Sequence, residues 1–168
     1  GSAPVAMLLA DVSLLEKPVE VQRDAAVPFA GCWASQPFPP QPLRYAEAFA
    51  NIGQPGRRLA YLKYHAHRFP SPDVQSRLGH LHLAEGRLNE AAAAFSGLFS
   101  TAANDPAFHR EAGIALLQRN LGEPARRHLR AALPAFEKDA AFRFNCGIAE
   151  AATGHAPEAL SHFQAVTQ

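Results

Sequence analysis

The sequence predicts an all-α chain folded as a solenoid of antiparallel helix pairs, and three observations predict it. Gly79, Gly113 and Gly147 follow one another at 34-residue steps. The same step relates Ala91, Ala125 and Ala159, then Phe95, Leu129 and Phe163, and also Leu78, Ala112 and Cys146. Helix-boundary residues fall in that register too, as in Asp105 and Asp139. A period of about 20–50 residues marks stacked supersecondary units.

Composition sets the outer limits. A chain of 168 residues can hold one domain with a real core. With 48% hydrophobic and 18% charged residues it is globular rather than disordered. A net charge of +1 argues against nucleic acid or an anionic membrane as the main partner. The abundance of Ala and Arg reads as a GC-rich bacterial genome. Cys32 and Cys146 form neither a disulfide framework nor a CxxC pair, and both are read as free thiols. No apolar run approaches the roughly 20 residues that span a bilayer. Gly1-Ser2 reads as a cloning remnant, so the remainder is expected to be a piece of a longer protein. Phe29-Ala30-Gly31-Cys32 looks like a lipoprotein cleavage box, but Glu16, Glu20, Arg23 and Asp24 deny it an apolar core.

Residues 1–42 are read as an N-terminal arm and proline-rich connector, because Pro18, Pro28, Pro37, Pro39, Pro40 and Pro42 break any long helix. Residues 5–15 are apolar and are expected to dock on the solenoid, in a groove or as a cap on its first helix pair. Residues 43–71 form a degenerate helix pair, with helices near 43–52 and 56–68. Tyr45-Ala46-x-x-Phe49 carries its pattern, Gly53 its turn and Pro70 its close, while Arg58 stands where Ala is expected. Residues 72–168 hold three full repeats, 72–105, 106–139 and 140–168. Their helices are placed near 73–85, 88–100, 107–119, 123–136, 140–152 and 156–167. Ser71-Pro72, Asp105-Pro106 and Asp139-Ala140 read as an N-cap followed by the first helical residue. Gly86, Asn120 and Gly154 fall where the chain must reverse. Pro124 and Pro157 suit a first helical turn. A Gly inside a helix costs about 1 kcal/mol relative to Ala, so its recurrence implies a close helix crossing.

Leu78-Gly79 followed by Ala91-x-x-x-Phe95 resembles the tetratricopeptide-repeat (TPR) family, as do Ala112-Gly113 with Ala125-x-x-x-Leu129 and Cys146-Gly147 with Ala159-x-x-x-Phe163. The resemblance covers about residues 72–168. It implies a right-handed solenoid whose first helices line a concave groove for a partner peptide. Carried over residue by residue, the groove positions are Asp73, Ser76, His80, Leu83 and Ala84, then Ala107, Arg110, Ile114, Leu117 and Gln118, then Ala141, Phe144, Ile148, Ala151 and Ala152. Such a surface is mostly apolar and suits an extended apolar segment or an amphipathic helix. The carboxylate clamp of some TPR proteins needs Lys, Asn and Arg; the matching positions here hold Ser76, His80, Glu111, Ala141 and Asn145, so that ligand class is not expected.

The remaining constellations read as structural. His65-x-His67 and His80-x-His82 cannot each clamp one metal ion, because i and i+2 on a helix point to different faces. His82 and Cys146 stand at core positions. Cys32 lies beside Trp33 without a base to activate it. Arg126, Arg127 and Arg130, with His128 among them, read as a solvated helix face, the alternative being a basic patch for a phosphate or an acidic partner. No acid/base pair, nucleophile or phosphate loop is found, so neither catalysis nor a cofactor is expected. The expected role is a protein–protein interaction module, a scaffold for assembly of a bacterial secretion or envelope complex. The alternatives are a chaperone for a secreted client and a regulatory domain of a larger enzyme. Self-association through the N-terminal arm or the C-terminal edge at Phe163 and Val166 is a further expectation.

Overall fold

Cap chemistry recurring along the chain sets where the first helix of each of the three full repeats begins and ends. The computed structural model describes residues 42–51 and 53–166, and every regular element among them is a helix. The N-terminal arm, Cys32, and the docking expected of residues 5–15 lie outside the described residues. The elements are α1 (Pro42–Asn51), α2 (Pro55–Arg68), α3 (Pro72–Ala84), α4 (Leu88–Ser96), α5 (Leu98–Thr101), α6 (Pro106–Leu117), α7 (Gly122–Ala132), α8 (Ala140–Ala152) and α9 (Ala156–Val166). Two compact units divide the chain, residues 1–64 and 65–168, and the boundary falls inside α2. In the first unit Phe49 and Tyr61 meet with ring centroids 5.9 Å apart, and Ala46 and Leu62 are fully buried.

In the second unit, Ser71, Asp105 and Asp139 each accept a backbone N–H from the first turn of α3, α6 and α8, at 3.4, 3.0 and 3.0 Å. The opposite ends close identically. The N–H groups of Arg87, Leu121 and His155 donate to the carbonyls of His82, Leu116 and Glu150, at 2.8, 3.1 and 2.9 Å. This is the Schellman closure, which needs a left-handed residue just past the helix. Gly86, Asn120 and Gly154 supply it with φ of 72°, 59° and 82°. Asn120 is the non-glycine among them, and Asn is a side chain that tolerates this region.

Each helix pair crosses at its glycine. A Cβ on Gly79 or Gly147 would lie 2.5 Å from the ring of Phe95 or Phe163, and one on Gly113 would lie 2.7 Å from Leu129. The residue four beyond the repeated Ala therefore sits directly over the glycine, where the sequence placed it beside the crossing. The core that results is continuous across pairs: Leu83, Phe95, Leu98, Ala112 and Leu116 form one cluster. Leu129, Phe142, Cys146 and Ala149 form the next.

Two helices end four residues short of the end the sequence suggests. The helix expected over 88–100 is interrupted at Gly97, whose carbonyl accepts from the hydroxyls of Ser100 and Thr101 at 2.8 and 3.0 Å. Hydroxyls of this kind compete with the backbone ladder. The helix expected over 123–136 stops at Ala132, because Pro134 has no N–H to continue it. The chain then proceeds by tight turns, Ala135 N–H to the Ala132 carbonyl and Phe136 N–H to that of Leu133.

Candidate partner-binding face

The first helix of each pair, α3, α6 and α8, contributes to one face of the second unit. Its positions change character along the chain. Asp73, Ala107 and Ala141 are exposed, as are Ala84, Gln118 and Ala152. At the next register Ser76 is buried, Arg110 is half-buried and Phe144 is 50% exposed. His80 and Ile114 are half-buried while Ile148 is 37% exposed. Leu83 is buried, Leu117 half-buried and Ala151 exposed. Two of the residues read from sequence as groove-lining therefore need correction. Leu83 turns inward to pack with Phe95, Leu98, Ala112 and Leu116. Ser76, whose side chain ends at its γ-oxygen, stays below the surface. The large apolar side chains exposed on the face, Phe144 and Ile148, lie on α8, where Phe144 packs against Phe163 of α9 with centroids 5.5 Å apart.

Polar groups tie the three helices together. His80 Nε2 and Glu111 Oε1 are 2.7 Å apart, joining α3 to α6. Arg110 on α6 pairs with Asp139, the N-cap of α8, at 2.9 Å. The same guanidinium lies 4.6 Å from the centroid of Phe136 and 5.8 Å from that of Phe142. Exposed pairs of this kind contribute roughly 0–1 kcal/mol each, so they fix orientation more than stability. His80 and Arg110 thus face the surface already partnered within the chain.

One buried ionisable group was passed over by the sequence reading. Glu150 on α8 is 2% exposed. Its Oε1 accepts from Arg130 Nε at 2.7 Å, and its Oε2 lies 3.8 Å from Arg126 and 3.7 Å from His155. Arg126 also grips Glu123 with two hydrogen bonds, 2.9 and 2.8 Å, which hold the Glu123 carboxyl below its usual range. The arginine cluster of α7 is therefore not a free solvated face: Arg126 and Arg130 are engaged, and His128 is buried. The signal for Glu150 was present in the repeat, since it falls 34 residues after Leu116 and 68 after His82, both of which are buried. His82 and Cys146 occupy the core, as the register required. Burial, with the nearby Glu150 carboxylate, pushes the Cys146 thiol up to about 11. Among the described residues no group of three or more His, Cys, Asp or Glu is placed to hold a metal ion, and no helix is long and apolar enough to cross a membrane.

No family model matches the chain, and no curated protein matches it in sequence. Solved structures do match in shape. YrrB, described as a TPR protein with an unusual peptide-binding site, superimposes with a TM-score of 0.59 at 20% identity, over 83% of this chain and 72% of its own. MamA from Desulfovibrio magneticus RS-1 gives 0.57 at 20% identity, over 75% of this chain and 72% of its own. A further MamA crystal structure gives 0.56 at 15% identity, over 74% and 69%. At these identities the likeness speaks for the fold. Together with the 34-residue register, the glycine crossings and the repeated Schellman closures, it shows that this chain has the fold of the tetratricopeptide-repeat proteins.

Proposed function

We propose that the face shared by α3, α6 and α8 binds a segment of another protein, and that the α8 end makes the principal apolar contact. The observation that carries this reading is the exposure of Phe144 and Ile148, one helical turn apart, beside the ring of Phe163. An exposed aromatic backed by a second ring is the kind of rigid anchor that dominates protein interfaces. The neighbouring Ala141, Ala151 and Ala152 are short and exposed, so a peptide backbone or an amphipathic helix can approach closely. YrrB, with the same fold, has a peptide-binding site, which supports the reading. The module then acts by bringing polypeptides together, as a scaffold for assembling a larger complex. Its placement in bacterial secretion or envelope machinery rests on the resemblance to TPR proteins.

The test is selection of a phage-displayed library of twelve-residue random peptides against the full chain. Apolar sequences are expected to be enriched. Synthetic versions should lose at least about tenfold in affinity, roughly 1.4 kcal/mol, on Phe144→Ala/Ile148→Ala. No enrichment, or binding indifferent to that double substitution, defeats the proposal.

A further inference from the structure

Helices α6 and α7 each bury one histidine against the other. His109 is 1% and His128 is 2% exposed, and their Nδ1 atoms are 2.9 Å apart. Phe99 of α5 closes the cluster: its ring is stacked on His128 at 4.5 Å and lies 4.7 Å from His109. Phe95 of α4 meets His128 edge-on at 6.4 Å. A contact between two imidazole nitrogens at this distance is a hydrogen bond only when one carries a proton and the other is bare. Two neutral rings in complementary tautomers satisfy that requirement. A first added proton brings a charge into a site walled by phenylalanine rings, where nothing like bulk water solvates it. A second leaves two N–H groups pointing at each other with no acceptor between them.

We propose that the His109–His128 pair is a proton-sensitive latch, closed when both rings are neutral and opened by acid, that fixes α6 against α5 and α7. The inference is independent of whether the α3–α6–α8 face binds a partner. It has a consequence for that face, because α6 also carries Arg110, Glu111, Ile114 and Leu117, and releasing α6 shifts them relative to α3 and α8.

The surrounding charges act on the two rings in opposite senses. Burial is the largest influence on both. For His109 it is partly offset by the Ala102 backbone and by Asp105 at the start of α6, which favour the charged ring. For His128 it is reinforced by His109 itself and by Arg127, whose guanidinium lies 5.2 Å from the Phe99 centroid, so that His128 is held down at about 4. A histidine held below its ordinary value of 6.5 stabilises the closed state fully above that value. The contribution is lost as pH falls from 6.5 through about 4. Burial also lowers His65 and His162, so total stability is not a specific readout of the latch.

Amide hydrogen exchange on the full chain at pH 7 and pH 5, corrected for intrinsic rates, reads the latch locally. With an ordinary value of 6.5 and a held value near 4, the opening equilibrium across α5–α7 should rise about 20-fold between those conditions, and more than that of α8. The double variant His109→Leu/His128→Phe, which retains the apolar volume and the stack on Phe99, should abolish that rise. Nitrogen-15 spectra of the wild-type rings at pH 7 should show one protonated and one bare Nδ1. Exchange that rises equally in wild type and variant overturns the proposal. If the variant does not fold, the ring spectra decide alone: two rings that titrate together at the ordinary histidine value overturn it.

Discussion

Adding a single methyl group at Gly113 tests the central packing claim most directly. A Cβ there would stand 2.7 Å from Leu129 Cγ, 2.8 Å from Cδ2 and 3.1 Å from the Leu129 backbone nitrogen. At Gly79 and Gly147 the three nearest atoms all belong to a phenylalanine ring and none to backbone. At Gly113 part of the obstacle is backbone, and Leu129 is itself 1% exposed with little room to retreat. Two effects compete in Gly113→Ala. Helix propensity favours Ala by about 1 kcal/mol, and overpacking opposes it by roughly 1–3 kcal/mol. The clash with backbone puts the second term toward its upper range, so the net loss should be about 2 kcal/mol. Gly113→Leu should lose about 3 kcal/mol, a fall of roughly 6–12 °C in Tm for a chain of this size. Leu129→Ala alone should cost about 2–5 kcal/mol. The decisive measurement is the cycle in urea, followed by circular dichroism. Gly113→Ala should cost less, or even stabilise, once Leu129 is Ala, giving a coupling of at least about 1 kcal/mol. Additivity within about 0.5 kcal/mol would refute the claim that Leu129 occupies the place of the missing side chain.

The buried ionisable groups and the buried thiol give two further expectations. Glu150→Ala should destabilise by about 2 kcal/mol in the same urea assay, below the roughly 3–5 kcal/mol of a fully buried pair, because the Arg130 side chain is 51% exposed and can turn to water; a change within about 0.5 kcal/mol, the usual scale of surface substitutions, would show that the pair is not structural. Cys146, in a Cys32→Ser background, should stay unreacted toward a thiol-specific disulfide reagent at pH 8 in the native protein and react on unfolding, since only the thiolate attacks and the thiol is held at about 11; rapid native-state reaction would contradict its burial.

The sequence was most legible where one physical requirement returns every 34 residues. A cap side chain, a close crossing and a left-handed closure each restrict a position to few residue types, and repetition turns three weak local signals into a register. Asn120 illustrates this: alone it is an unremarkable polar residue, but between Gly86 and Gly154 it reads as the third left-handed closure, and its φ of 59° agrees. The helix ends at Gly97 and Pro134 were less legible because they break the repeat instead of obeying it. Pro134 could have been read from its missing N–H. The hydroxyls of Ser100 and Thr101 converging on the Gly97 carbonyl involve a competition that spacing does not express.

The face was less legible than the fold for a different reason. A register position fixes the direction in which a side chain leaves its helix, and exposure depends also on what the neighbouring helices place over it. Position by position, the same direction gives buried Ser76, half-buried Arg110 and exposed Phe144, and again buried Leu83, half-buried Leu117 and exposed Ala151. Of the positions that the family resemblance assigns to the face, those with large exposed apolar side chains, Phe144 and Ile148, both lie on the last helix. The same logic inverts for the buried polar groups. His128 and Glu150 look like surface residues by type, yet their register points them inward, where each is compensated by a partner on a different helix: His109 for one, Arg130 for the other. Neither partner is a fixed number of repeats away, so no periodicity reveals the pairing. A buried polar residue needs its complement nearby in space, and in a solenoid that complement comes from the adjacent helix, whose facing residue the repeat leaves free to vary.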